Sequence, residues 1–188
     1  VEGTLGRFDA AFGGRIHLVQ SADDAERLEV DDPARLAFVT QTTLSVDDTA
    51  GIVAVLRRRF PQLASPRKED ICYATQNRQD AVKDLLRDCD LLVVVGSASS
   101  SNSNRLVELG ARAGIPAYLV DGADNLERSW FAGKHCVGIS AGASAPEVLV
   151  RAVIARLQDW GAEAPLELPG REEQVVFGLP RELRLPPP

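Results

Sequence analysis

The amino-acid sequence predicts an α/β fold, with two small parallel-sheet lobes followed by an extended C-terminal tail. Short apolar runs rich in β-branched residues alternate with amphipathic stretches, the pattern of strands and helices taking turns along a chain. The runs are apolar at both alternating sets of positions, as strands are when helices cover both faces of their sheet. Beyond residue 161 this pattern stops, and Pro, Glu and Leu dominate without a clear period.

Strands are expected at 36–40, 91–95, 117–120 and 136–140, with 17–19 a weaker candidate. Ser45-Val46-Asp47-Asp48 has the cap-plus-acid pattern of a helix start, and the helix runs through Ile52, Val53, Val55 and Leu56. Arg57, Arg58 and Arg59 fall in its last turn, where cations suit the negative end of the helix, and Pro61 stops it. Thr75 is the expected cap of a second helix through Ala81, Val82, Leu85 and Leu86. A third covers 104–113 and is ended by Gly114; Pro146 opens a fourth with Val148, Leu149, Val153 and Leu157 on its apolar side. Ser65-Pro66-Arg67-Lys68 reads as a linker, which divides a lobe at 1–67 from one at 68–161, with a docking tail at 162–188. The tail's clearest apolar run is Val175-Val176-Phe177.

The 188 residues are 45% hydrophobic and 26% charged, with a formal net charge of −6, ordinary values for a soluble protein. An acidic balance argues against a nucleic-acid partner that needs phosphates neutralised. No apolar run approaches the roughly 20 residues that span a bilayer, so no membrane partner is expected. Three widely spaced cysteines, Cys72, Cys89 and Cys136, fit a reducing compartment, and cytoplasm is the expected location. The sequence contains no Met and opens on Val-Glu-Gly-Thr, so it is expected to be a piece of a longer protein.

In parallel α/β sheets ligands bind beyond the carboxyl ends of the strands. Three such loops here share one chemistry: 40–45, 96–104 and 140–147. Each delivers hydroxyl or amide side chains to a helix N-terminus, whose free N–H groups and partial positive charge favour a phosphate. Capping alone accounts for one such residue per helix, and Ser144 with Glu147 forms a capping box on its own. It does not account for seven Ser or Asn residues in the eight positions from Ser97 to Asn104. That surplus predicts an anion pocket built from neutral donors.

Cys72 lies just before a helix, an environment that favours the thiolate form that binds metal. One thiolate holds no cluster, however, and the chain has no Cys-x-x-Cys. Cys89 and Cys136 read as packed thiols, and His17 and His135 as structural or solvated.

Four longer strings add what spacing could not. Thr40-Gln41-Thr42-Thr43-Leu44-Ser45-Val46-Asp47-Asp48 and Asp70-Ile71-Cys72-Tyr73-Ala74-Thr75-Gln76-Asn77-Arg78-Gln79 resemble the 4-hydroxy-3-methylbut-2-enyl diphosphate reductases. So do Val95-Gly96-Ser97 with Ser100-Ser101-Asn102-Ser103-Asn104-Arg105-Leu106, and Ala141-Gly142-Ala143-Ser144-Ala145-Pro146; Gly170-Arg171-Glu172-Glu173 is a weaker match. The resemblance implies a three-lobed α/β protein around an iron–sulfur cluster, expected to be [4Fe-4S], held by three cysteines. It implies reductive removal of an allylic hydroxyl to give isopentenyl and dimethylallyl diphosphate, with electrons from ferredoxin or flavodoxin.

By the same resemblance Cys72 is the third cluster ligand. Ser100, Ser101, Asn102 and Ser144 bind the diphosphate, and Thr42 sits at the substrate's hydroxyl end to position it or relay a proton. The first lobe, two cysteines, the diphosphate-binding histidines and the acidic proton donor are expected to precede residue 1, so residues 1–188 alone are expected to be inactive. The rival reading is a phosphosugar- or nucleotide-binding α/β module without redox chemistry, which has no need of Cys72. A third is a non-catalytic relative that lost the first lobe.

Overall fold

In a computed structural model that describes residues 2–9, 11, 13–66 and 70–170, the chain is organised around β1 (Leu91–Val95). All five of its side chains are buried, as the unbroken Leu-Leu-Val-Val-Val run requires. β2 (Ala117–Val120) and β3 (Val137–Ala141) flank it in a parallel sheet of order β2-β1-β3. The register pairs Leu92 with Ala117 on one side and Leu91 with Val137 on the other.

Alternation along β1 sorts its side chains to two faces. Leu91, Val93 and Val95 pack with Val120, Leu126, Val153 and Leu157, the last two from α6 (Glu147–Asp159). Leu92 and Val94 pack with Val82 of α4 (Tyr73–Leu85) and with Leu106 and Leu109 of α5 (Ser101–Arg112). Asp90 fixes the entry to this sheet by accepting from the His135 and Cys136 N–H groups at 2.9 and 3.2 Å, and those bonds hold its carboxyl below the usual carboxylate range.

The region before residue 67 is different. α1 (Glu2–Arg7) and α2 (Ala22–Arg27) precede α3 (Val46–Arg59), and Ala25, Leu56 and Phe60 form a separate small core. The expected strand at 36–40 is reduced to a single parallel bridge between Ala37 and Ala64. Leu36 and Phe38 exchange backbone bonds with Ala64 at 2.9 and 3.3 Å. The next rung would need an N–H from Pro66, which has none. No strand forms at 17–19 among the described residues; the chain instead leads into α2, whose start is a capping box of Ser21 with Asp24. That helix was legible as Ser-x-x-Asp but was not expected.

Other helix starts also differ. Cys72, not Thr75, occupies the cap position of α4, and Thr75 is buried on the same face as Gln79 and Val82. α5 starts at Ser101 because the Ser100 hydroxyl accepts from the Ser103 N–H at 3.3 Å. The Ser144–Glu147 box does not form: α6 starts after Pro146 with no side-chain cap, and Glu147 pairs with Arg151 one turn on. Cys89 is buried, and burial pushes its thiol up; Cys136 is exposed rather than packed, since strand pairing begins one residue later. His17 and His135 are both exposed.

Residues 162–170 carry no regular structure and are exposed. Arg67 and Lys68 of the expected linker, Val175-Val176-Phe177 and most of the Gly170–Glu173 string lie outside the described residues. No helix among the described residues is long and apolar enough to cross a membrane.

Candidate functional site

Two of the three hydroxyl-rich loops meet at the carboxyl end of the sheet. Gly96 follows β1, and its N–H donates to the Val120 carbonyl at the end of β2 at 2.9 Å. Gly142 follows β3, and its N–H donates to the Val95 carbonyl at 2.9 Å. Between these glycines lies Ser103, on the first turn of α5 and 1% exposed. An alanine at Gly96 would bring its Cβ to 2.9 Å from Ser103 Cβ, and one at Gly142 would press on Ser103 Oγ. Both positions therefore need glycine for close approach.

The loop after β1 is ordered by its own side chains. Ser97 and Ser99 hydroxyls are 2.9 Å apart, Ser103 Oγ donates to Ser100 Oγ at 3.1 Å, and Asn104 Nδ2 donates to the carbonyls of Ala98 and Ser100 at 2.9 and 3.0 Å. Ser97, Ser100, Ser103 and Ser144 line a cavity of about 270 Å³, closed on one side by Pro146 and Leu149 and joined by Asp121. Asn102 sits beside it, 6% exposed, its Nδ2 3.8 Å from where a Cβ on Gly142 would stand. Neither Nδ2 nor Oδ1 of Asn102 has a hydrogen-bond partner, although both are buried. A buried amide without partners costs about 1–3 kcal/mol, so it marks a place where ligand atoms would relieve the fold. Ser101 is exposed as the first residue of α5.

The third loop meets Cys72 instead. The Cys72 N–H donates to the Thr42 carbonyl at 2.9 Å, which ties the two segments together by backbone. Thr40 N–H donates to Asp70 Oδ2 at 2.7 Å. Gln79, one turn and more along α4, donates from Nε2 to the Leu44 carbonyl at 2.8 Å and accepts at Oε1 from the Val46 N–H at 3.0 Å. Thr42 and Cys72 are both exposed, and neither lines the 270 Å³ cavity. Of the residues read from sequence, Ser100, Asn102 and Ser144 are thus gathered in one place and Thr42 with Cys72 in another.

Cys72 suits a metal ligand in two respects. Its side chain makes no capping bond, and the first turn of α4 contains no acid to offset the positive end of the helix. Among the described residues no group of three or more His, Cys, Asp or Glu could hold a metal. Among the described residues Cys72 therefore offers a single sulfur, which by itself makes no metal centre.

Sequence reasoning missed Ser103, Gln79, Asp70 and Asp121. Gln79 was detectable as a polar residue on the stripe of Thr75 and Val82, and Ser103 lay inside the Ser97–Asn104 run read as an anion pocket but was not singled out within it.

The family model described as LytB protein matches residues 1–158. The 4-hydroxy-3-methylbut-2-enyl diphosphate reductase of Acinetobacter baylyi is 62% identical over 98% of this chain, and that of Psychrobacter sp. is 60% identical over 99%. In both cases the chain spans 58% of the relative's length. The solved E-1-hydroxy-2-methyl-but-2-enyl-4-diphosphate reductase from Plasmodium falciparum is similar with a TM-score of 0.70 and 36% identity, covering 76% of this chain and 45% of that one. With a matching family model over most of its length, this chain belongs to the LytB family.

Proposed function

We propose that this chain contributes the diphosphate-binding part and one iron ligand of a 4-hydroxy-3-methylbut-2-enyl diphosphate reductase. The observation that carries the reading is the unpartnered buried amide of Asn102 beside a cavity of neutral hydroxyls at two loop–helix junctions. A diphosphate offers several acceptor oxygens, and hydroxyls, amides and free helix N–H groups bind it without a basic side chain.

In this reading Ser100, Ser101, Asn102 and Ser144 hold the diphosphate, and so fix the carbon skeleton at one end. Thr42 presents its hydroxyl near the other end, where it positions the substrate's hydroxyl or passes it a proton. Cys72, joined to Thr42 through the 2.9 Å backbone bond, would hold one iron of the cluster close to that hydroxyl. When bound, an iron–sulfur cluster supplies electrons singly and a Lewis-acidic iron for an oxygen. The net change consumes two electrons and two protons per allylic hydroxyl lost as water, and ferredoxin or flavodoxin is the donor we assign. Lobes at 1–67 and 68–161 and a reducing, cytoplasmic setting belong to the same proposal; the three cysteines are free.

The test uses the protein from the complete reading frame that encodes this sequence, purified anaerobically and supplied with a strong one-electron reductant and the allylic diphosphate. Isopentenyl and dimethylallyl diphosphates should form, and Cys72→Ser should abolish both turnover and the visible cluster absorption. Phosphate-ligand binding with no colour and no effect of Cys72→Ser would favour a simple binding module instead.

A further inference from the structure

The anion cavity contains one side chain of the wrong sign. Asp121 follows directly on β2, and the Gly96-to-Val120 backbone bond at 2.9 Å sets it against the start of the Ser-rich loop. Its neighbours in the cavity, Ser97, Ser100, Ser103 and Ser144, are neutral. Among the described residues Asp121 has no ion pair to cancel its charge. Asp121 and Leu149 also line a wider open groove of about 530 Å³ along α6. The basic residue of that groove, Arg156, is engaged with Asp124 at 3.2 Å. A carboxylate lining this cavity would oppose an anion held there, while the N-terminal ends of α5 and α6 would attract it.

We infer that Asp121 is a charge-selectivity residue of the cavity, limiting the negative charge it will hold. Neutral donors alone would bind any phosphate chain that fits, and the attraction would grow with each added phosphate. An opposing fixed charge subtracts a penalty that grows with ligand charge as well, so it acts most strongly against polyphosphates and nucleotides. The inference rests on the reading of this cavity as the diphosphate site. Because Asp121 is exposed, solvent and salt screen the repulsion, and its effect is moderate.

The experiment titrates the protein from its complete reading frame, as wild type, Asp121→Asn and Asp121→Glu, with orthophosphate, pyrophosphate and tripolyphosphate by calorimetry. Asp121→Asn should tighten pyrophosphate binding roughly fivefold at low ionic strength, less for orthophosphate and more for tripolyphosphate. The gain should shrink as ionic strength rises about tenfold, and Asp121→Glu should stay within about twofold of wild type. Equal or weaker pyrophosphate binding by Asp121→Asn, or a gain indifferent to ligand charge and salt, overturns the inference while leaving the cavity's assignment intact. If none of the three proteins binds pyrophosphate, the diphosphate reading of the cavity fails, and this inference falls with it.

Discussion

The two regions of the molecule hold their candidate site residues in different ways. In the sheet region, β1 has hydrophobic partners on both faces, and the loop after it is tied down by Ser97, Ser100, Ser103 and Asn104 themselves. In the region before residue 67, the buried core among the described residues consists of Ala25, Leu56 and Phe60 with partly buried neighbours, and the bridge between Ala37 and Ala64 stops at Pro66. Its Thr40–Ser45 loop is anchored from outside, by Asp70, the Cys72 N–H and Gln79. The Ser-lined cavity is therefore a consequence of local sheet packing. The placement of Thr42 is a consequence of contacts between regions. Loss of contact between the regions should move Thr42 relative to Cys72 and leave the cavity almost untouched.

The largest effects should come from the cores themselves. Leu92→Ala removes a side chain with 0% exposure from the central strand, where α4 and α5 leave little room to collapse. A loss of about 3–4 kcal/mol is expected. Leu56→Ala, in the smaller core, should cost about 2 kcal/mol, because the partly buried residues around it can close in. Urea unfolding of both variants measures this directly. Equal losses would mean that the two regions share one cooperative core.

The sheet region was also the more legible in sequence, for the same physical reason. A strand buried on both faces writes itself as a continuous apolar run, and the three expected there formed with at most a one-residue shift at each end. The apolar run at 36–40 looks similar, yet its fate depended on whether a partner 27 residues on, Ala64 to Ala37's rung, could extend past a proline; single-segment patterns do not carry that information. Among site residues, Ser100, Asn102 and Ser144 were readable because a surplus of donors is a local signal. Asp70 was not, and Gln79 showed only as a polar residue on a buried stripe, since the partners of both lie 30 or more residues away. Cys72 stands between these cases: its place at a helix start was local, while its meeting with Thr42 was not.

Gln79 sharpens the comparison at intermediate magnitude. It is 1% exposed and satisfies both the Leu44 carbonyl and the Val46 N–H. Gln79→Met keeps most of the volume but leaves two backbone groups unpaired, each partly reachable by water. The expected cost is about 2 kcal/mol. Hydrogen exchange at the Val46 amide should accelerate, while amides of β1 keep their protection relative to the new global stability. If β1 and Val46 lose local protection together, the loop is not separately anchored and the contrast between regions fails.

The smallest effect is expected at the surface fastener between the regions. Arg112 of α5 donates to both oxygens of Asp48 on α3, at 2.7 and 2.6 Å. These bonds hold the Asp48 carboxyl below its ordinary value of 3.8. A depressed folded-state pKa means stabilisation that is fully present above the unfolded value and lost as pH falls through the folded one. Both side chains are about half exposed, at 51% and 46%, so screening keeps the pair to about 0.5 kcal/mol despite its bidentate geometry. Asp48→Asn should therefore lower stability by that amount at neutral pH, and added salt should reduce the difference from wild type. The same difference should fade as pH drops below 3.8, because the wild-type carboxyl then gains the proton that the variant never needed. Melting temperatures of the two proteins, compared across that range, decide the matter. A gap that exceeded about 2 kcal/mol at neutral pH and vanished in acid would show the regions to be fastened by charge rather than by the buried bonds of Gln79, whereas a gap that persisted in acid would show that Asp48 acts through something other than its charge.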